Sequence, residues 1–102
     1  MQIKVEGYQY EMSNFENKEN RGQILQFIHK EPNKNNELIT ISDGTTNEEV
    51  LEVLINRMNF LNNKFPCREN SIVITHLETA LLWLEKRTND RIKRNVEGKH
   101  LK

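Results

Sequence analysis

Pro66 stands between two stretches whose apolar residues recur at intervals of three and four, which commits the C-terminal half of this chain to a pair of helices. In the first stretch the stripe is Val50, Leu54, Met58, Leu61 and Phe65. Thr46-Asn47-Glu48-Glu49 precedes it as a capping box, the Thr46 hydroxyl placed to satisfy the Glu49 amide while the Glu49 carboxylate reaches back, so the first helix should cover roughly residues 47 to 63. The second stripe is Val73, Leu77, Leu81 and Leu84, flanked by Ile74, Ala80 and Trp83. It continues through KRTNDRIKRN toward Gly98, a candidate C-cap, giving a helix of about 25 residues. Only the few residues around Phe65-Pro66-Cys67-Arg68 connect the two, a length that makes them antiparallel neighbours.

The N-terminal part reads differently. Ile3 and Val5, then Tyr8, Tyr10 and Met12, alternate with polar residues across Gly7, as in a half-buried strand or bent hairpin arm with a bulge at the glycine. SNFENKENRG is a polar loop ending at Arg21-Gly22, and QILQFIHKE is the next strand. The turn Pro32-Asn33-Lys34-Asn35-Asn36 leads to ELITIS, where Leu38 and Thr40 face opposite to Ile39 and Ile41. The expected class is α+β, a small antiparallel sheet followed by a long antiparallel two-helix hairpin. One domain of 102 residues is expected, residues 1–42 forming the sheet part and 43–102 the hairpin. A chain of this size has little core to spare, so oligomerisation would help it.

Several functions are poorly served. Cys67 is the single cysteine, which leaves neither an internal disulfide nor a thiol cluster for zinc and fits a reducing, intracellular setting. The start MQIKVEGYQYEM lacks an apolar leader, and no run approaches the roughly 18 apolar residues of a membrane span, so a soluble chain is expected. His29, His76 and His100 stand apart without a second ligand at helical spacing, so neither a metal nor another cofactor is expected. Cys67, between Pro66 and Arg68, reads as a structural or incidental thiol before a nucleophile. DGTTNEE has one glycine and no lysine, so it is helix-cap chemistry and not a phosphate loop. Glu78 and Glu85, seven apart on a polar helix face, suit solvent better than a glycosidase dyad. No catalytic residue emerges.

Charge and arginine placement point to an anionic partner. The formal net charge is zero, yet seven of the 15 Lys/Arg and only three of the 15 Asp/Glu lie in residues 85–102. A basic end suits an anion, a second subunit packed head to tail against the acidic part, or simply the dipole of the helix terminus. Arg87, Arg91 and Arg94, at i, i+4 and i+7, share one helix face, and Arg57 and Arg68 lie near the inter-helix turn. Two guanidiniums a turn apart can clamp a diphosphate. The same residues could instead ion-pair with Glu85, Asp90 or Glu97, and Phe60 could be either a core residue or a ring on which a base stacks.

The run DGTTNEEVLEVLINR at 43–57, the turn PCRENS at 66–71 and the segment LETALLWLEKRTNDRIKRNVEGK at 77–99 closely resemble the phage Thoeris anti-defence family, first type. That family shares its helical-hairpin domain with a family of anti-CBASS nucleotide sponges. The resemblance covers residues 43 to 100 strongly and the N-terminal sheet more loosely; its most specific parts are the arginine pair followed by Val-Glu-Gly and the Pro-x-Arg-Glu-Asn turn. It implies a protein without enzymatic activity, working in the host bacterial cytoplasm, that binds cyclic ADP-ribose isomers such as glycocyclic ADP-ribose, made by the Thoeris TIR-domain enzyme, and keeps them from their effector. It further implies two pockets in a homodimer, each lined by an aromatic and an asparagine near the turn and by arginines of the last helix. Those roles fall on Phe60, Asn70, Arg87 and Arg91, with Arg57 and Arg68 as further candidates. Asn95 departs from the glycine that many relatives have before Val-Glu-Gly. Some relatives form hexamers and bind CBASS cyclic oligonucleotides at a separate site, for which no position here is identified. Asn70 and Arg91 are 21 residues apart, about 30 Å along a helix, so one ligand touching both requires two antiparallel chains. The runner-up reading is a protein-interaction or weak nucleic-acid-binding module using the basic C-terminal helix, although zero net charge and the lack of interleaved aromatics in that helix speak against nucleic acid.

Overall fold

The computed structural model describes residues 1–94; Asn95, Glu97, Gly98 and His100 lie outside the described residues. The chain is α+β, with strands β1 (Gln2–Val5), β2 (Gln9–Glu11), β3 (Ile24–Gln26), β4 (His29–Pro32) and β5 (Leu38–Ser42) followed by helices α1 (Asn47–Lys64) and α2 (Arg68–Lys93). Two compact units form, Met1–Thr46 and the segment that begins at Asn47.

In the first unit Gly7 is the turn itself and not a bulge inside one strand. At φ 84° it occupies the left-handed region, and Tyr8 N–H donates to the Val5 carbonyl at 3.0 Å, so β1 and β2 form a hairpin. The Asn14 amide gathers the polar loop by donating to the carbonyls of Asn17, Asn20 and Arg21. Gly22 then passes so close to the Met12 carbonyl that a Cβ would collide with it.

The segment QILQFIHKE, expected as one strand, is broken at Phe27-Ile28, and the expected sheet is two. β1-β2-β3 and β4-β5 are separate antiparallel sheets. The reason is where the backbone amides go: Phe27 N–H donates to Tyr8 at 2.7 Å, whereas Ile28 N–H donates to the Thr45 carbonyl at 2.9 Å and Thr45 N–H returns to Gln26 at 2.9 Å. The Phe27-Thr45 bridge is parallel, so it takes the chain out of the first ladder before β4 begins the second. Tyr8 stacks on His29 with centroids 3.6 Å apart, and Tyr10 meets Phe27 edge-on at 6.0 Å. The asparagine-rich turn has a mechanism as well: the Asn33 side chain accepts from Asn35 and Glu37 N–H groups, and Asn36 takes φ 61°, a conformation asparagine tolerates.

The second unit is the helical hairpin. α1 begins immediately after Thr46, where the capping box puts it, and ends two residues before Pro66. Its seam against α2 keeps Met58, Leu77, Leu81 and Leu84 of the expected stripes and differs at the other positions. Among the half-buried positions a series of threes and fours runs through Leu51, Ile55, Met58 and Asn62 on α1 and Leu77, Leu81, Leu84 and Thr88 on α2, together with Ile74, which is 9% exposed, while Val50 and Leu61 are half-buried beside it. Leu54 and Phe65, expected to be buried, are 41% and 79% exposed, and Val73 is 41% exposed while its neighbour Ile74 takes the core place.

Val50, Leu54, Leu61, Val73, Ala80 and Trp83 each precede a seam residue by one. A residue one before the seam is rotated about 100° on each helix, and in an antiparallel pair the two rotations turn toward the same side. The hairpin therefore carries an apolar flank beside its seam. Glu52, Asn56, Asn59 and Glu78 line a groove on the opposite, polar flank.

Candidate functional site

The candidate side chains fall at two ends of the hairpin. At the turn, Cys67 caps α2: its backbone is extended, with φ −153° and ψ 158°, and its sulfur accepts from Asn70 N–H at 3.4 Å. Asn62, on α1, accepts from Cys67 N–H at 3.0 Å and donates to the Ser71 hydroxyl at 3.3 Å, while that hydroxyl donates to the Cys67 carbonyl. These bonds tie the last turn of α1 to the first turn of α2 and fix half-buried Asn70 beside the connection. Arg68, the first residue of α2, is exposed.

Phe60 does not join this group. It lies two residues from both Met58 and Asn62, roughly 200° around α1, on the side turned away from α2. The ring is 56% exposed and lies under the Lys64 ammonium at 4.9 Å. Arg57 is exposed a turn earlier.

The other end is basic. α2 is eight residues longer than α1, so within the hairpin its last two turns extend about 12 Å past the start of α1. Arg87 is exposed and Arg91 half-buried on this stretch. Arg87 shares a shallow concavity of about 240 Å³ with Trp83, Lys86, Asp90 and Arg94, a group that does not include Arg91. Asp90 pairs with Lys86 at 2.8 Å. That hydrogen bond to the Lys86 ammonium, aided by the nearby charges of Lys93 and Arg94, holds the Asp90 carboxyl below its ordinary value of 3.8. Among the described residues no ion pair is seen for Arg87 or Arg94.

Asn70 and Arg87 are 17 residues apart on an unbroken helix, about 25 Å. One chain therefore brings together Asn70, Cys67 and Asn62 at one end and Trp83, Arg87 and Arg94 at the other, but never the two groups.

The model of the family described as "Acb2/Tad1, hairpin domain" matches residues 23–89, about two thirds of the chain. The chain belongs to this Acb2/Tad1 hairpin family. The matched segment holds Phe60, Asn70 and Arg87, whereas Arg91 and Arg94 follow its end. A curated protein of Bacillus phage SBSphiJ7, "Thoeris anti-defense 1", is 48% identical over 62 residues, which are 60% of this chain and 44% of that protein. The alignment thus spans less than half of the relative's length. The Thoeris anti-defence resemblance of the sequence is borne out at the level of the family.

Three contributors were not legible as site residues. Trp83 reads as a flanking apolar residue, yet it is 64% exposed and lines the arginine concavity. Arg94 reads only as a third basic residue on the face, and it shares that concavity with Arg87 where Arg91 does not. Cys67 turns out to be the helix cap. The available signal for the first two is their spacing, i, i+4 and i+11 from Trp83, which keeps an indole and two guanidiniums within a narrow stripe.

Among the described residues no group of three His, Cys, Asp or Glu could hold a metal ion, and no helix is long and apolar enough to cross a membrane.

Proposed function

We propose that this chain sequesters a cyclic ADP-ribose-type signal nucleotide without cleaving it, and so blocks Thoeris immunity in the bacterial cytoplasm of a phage's host. The observation that carries the reading is the basic end of α2, where Arg87 and Arg94 share a concavity and neither makes an ion pair among the described residues, in a chain of the Acb2/Tad1 hairpin family. The name of the Bacillus phage relative supplies the biological setting.

The pocket is assembled from two chains. Arg87 and Arg91 neutralise the pyrophosphate of the ligand, while Asn70 of the other subunit reaches its base and ribose and the exposed Phe60 ring, on a separate face near the same turn, offers a stacking surface. Helix length supports this arrangement, since a nucleotide about 10 Å long cannot bridge about 25 Å between Asn70 and Arg87 of one chain. The concavity in one chain, about 240 Å³, is also smaller than the roughly 300–1,000 Å³ of pockets that enclose small molecules. The apolar flank of Leu54, Val73 and Trp83 supplies surface for a second copy to cover.

Depleting a signal demands nanomolar affinity, about −12 kcal/mol. Charge-assisted arginine contacts at about 1.5–3 kcal/mol each and stacking at about 1–3 kcal/mol reach that figure together only in a pocket closed to water.

The test is to incubate the purified protein with the product of a TIR-domain enzyme, remove free nucleotide, heat-denature, and identify what is released by mass spectrometry. About one intact cyclic nucleotide per chain is expected. Cleaved ADP-ribose at more than one equivalent per chain would show an enzyme instead, and release of nothing would reject the binding role.

A further inference from the structure

Trp83 shares a concave surface with Arg87 and Arg94, for which no ion pair is seen among the described residues. Burial of an indole normally removes about 150–250 Å² from water, yet Trp83 is left 64% exposed one position before the seam residue Leu84. It is the only tryptophan in the chain. Arg87 follows by one turn, about 6 Å along the axis, and Arg94 by three turns, about 16 Å, and helical geometry keeps all three within about 40°. The remaining members of the concavity, Lys86 and Asp90, satisfy each other at 2.8 Å, so the cationic groups left for a ligand are the two guanidiniums. An aromatic face followed by guanidiniums, in one line and at this separation, has the order of a nucleotide: a planar base, a sugar, then phosphates.

We infer that Trp83 belongs to the nucleotide site, its indole stacking on the nucleoside part of the ligand while Arg94 joins Arg87 and Arg91 at the phosphates. This rests on the proposed binding of a nucleotide at Arg87, and adds to it a second aromatic surface in the same pocket and a phosphate contact at Arg94. Trp83 then marks the inner boundary of the site, where the apolar flank gives way to the basic end. Sugar phosphates without a base, and inorganic pyrophosphate, would engage only the arginine half.

Because the chain has one tryptophan, the test reads the site directly. The full-length protein is titrated with the purified cyclic product of a TIR-domain enzyme and with inorganic pyrophosphate, following indole emission and heat in parallel. The variants Trp83→Leu, Trp83→Phe and Arg94→Ala are titrated by heat alone, with circular dichroism as the folding check. The expected results are a change in emission that saturates at the calorimetric stoichiometry, and a loss of affinity of roughly tenfold or more in Trp83→Leu that Trp83→Phe partly restores. Arg94→Ala should weaken the cyclic nucleotide and pyrophosphate alike.

If the wild-type protein binds the nucleotide by calorimetry but its emission is unchanged and Trp83→Leu binds as well as wild type, Trp83 lies outside the site and the inference falls while the proposed function stands. Equal weakening in folded Trp83→Leu and Trp83→Phe would mean packing and not stacking, and would also overturn it. If no nucleotide binds the wild-type protein, the proposed function falls and the inference with it.

Discussion

Replacing Asn62 by alanine should loosen the turn that carries Asn70. The Asn62 side chain makes two bonds across the hairpin, accepting from Cys67 N–H at 3.0 Å and donating to the Ser71 hydroxyl at 3.3 Å, and the residue is half-buried on the seam. At a net value of about 0.5–1.5 kcal/mol each, the two bonds contribute about 1–3 kcal/mol. Alanine returns about 0.5 kcal/mol through its higher helix propensity, so a net destabilisation of about 0.5–2.5 kcal/mol is expected. In a domain of this size that corresponds to a drop of roughly 4–8 °C in Tm for each kcal/mol. Asn63 is the internal control, since its exposed side chain makes no hydrogen bond among the described residues and Asn63→Ala should be neutral or slightly stabilising. Urea denaturation followed by circular dichroism at 222 nm compares the two. Equal midpoints for Asn62→Ala and Asn63→Ala would refute the assignment of the turn's stability to the Asn62 bonds.

Three further outcomes are expected. Ile74→Ala should cost about 2–4 kcal/mol in denaturant stability, whereas Val73→Ala, at a position 41% exposed, should cost less than half as much in dilute protein; the reverse order would place the seam on the other stripe. Asp90→Asn should lower helix content modestly at neutral pH. The Asp90 carboxyl titrates below its ordinary value of 3.8, so the benefit of its bond to Lys86 is present above that value and lost as the pH falls through the lowered one, and a thermal melt series should show wild type and variant converging there. Arg87→Ala and Arg91→Ala should each weaken nucleotide binding by more than about 1 kcal/mol in calorimetry while leaving the circular dichroism spectrum unchanged.

The helix ends were legible because local chemistry sets them: Thr46 and Pro66 bracket α1, expected at 47–63 and found at Asn47–Lys64. The choice of seam was not. Val50, Leu54, Met58, Leu61 and Phe65 repeat at the same threes and fours as Leu51, Ile55, Met58 and Asn62 and share Met58 with them, so periodicity alone cannot say which stripe meets α2. Only pairing with Ile74, Leu77, Leu81 and Leu84 decides it. The break at Phe27-Ile28 was hidden for a related reason, since it depends on the Ile28 amide finding Thr45, 17 residues away, and nothing in the residue types of QILQFIHKE announces it. Cys67 escaped as a cap because Ser, Thr, Asp and Asn usually fill that role. Of the site, the arginine face was readable from spacing, but its division into Arg87 with Arg94 on the concavity and Arg91 outside it needed the three-dimensional arrangement.

In the proposed dimer a signal nucleotide is held between Asn70 of one chain and the arginines of another. Mixing two inactive variants, Asn70→Ala and Arg91→Ala, tests it most directly. In the mixed dimer one pocket has both substitutions and the other has neither, so once subunit exchange is verified by native mass spectrometry, calorimetry should recover wild-type affinity at half the wild-type number of sites per dimer. If mixed dimers form and no binding returns, the two groups do not share a ligand across chains and the account is contradicted.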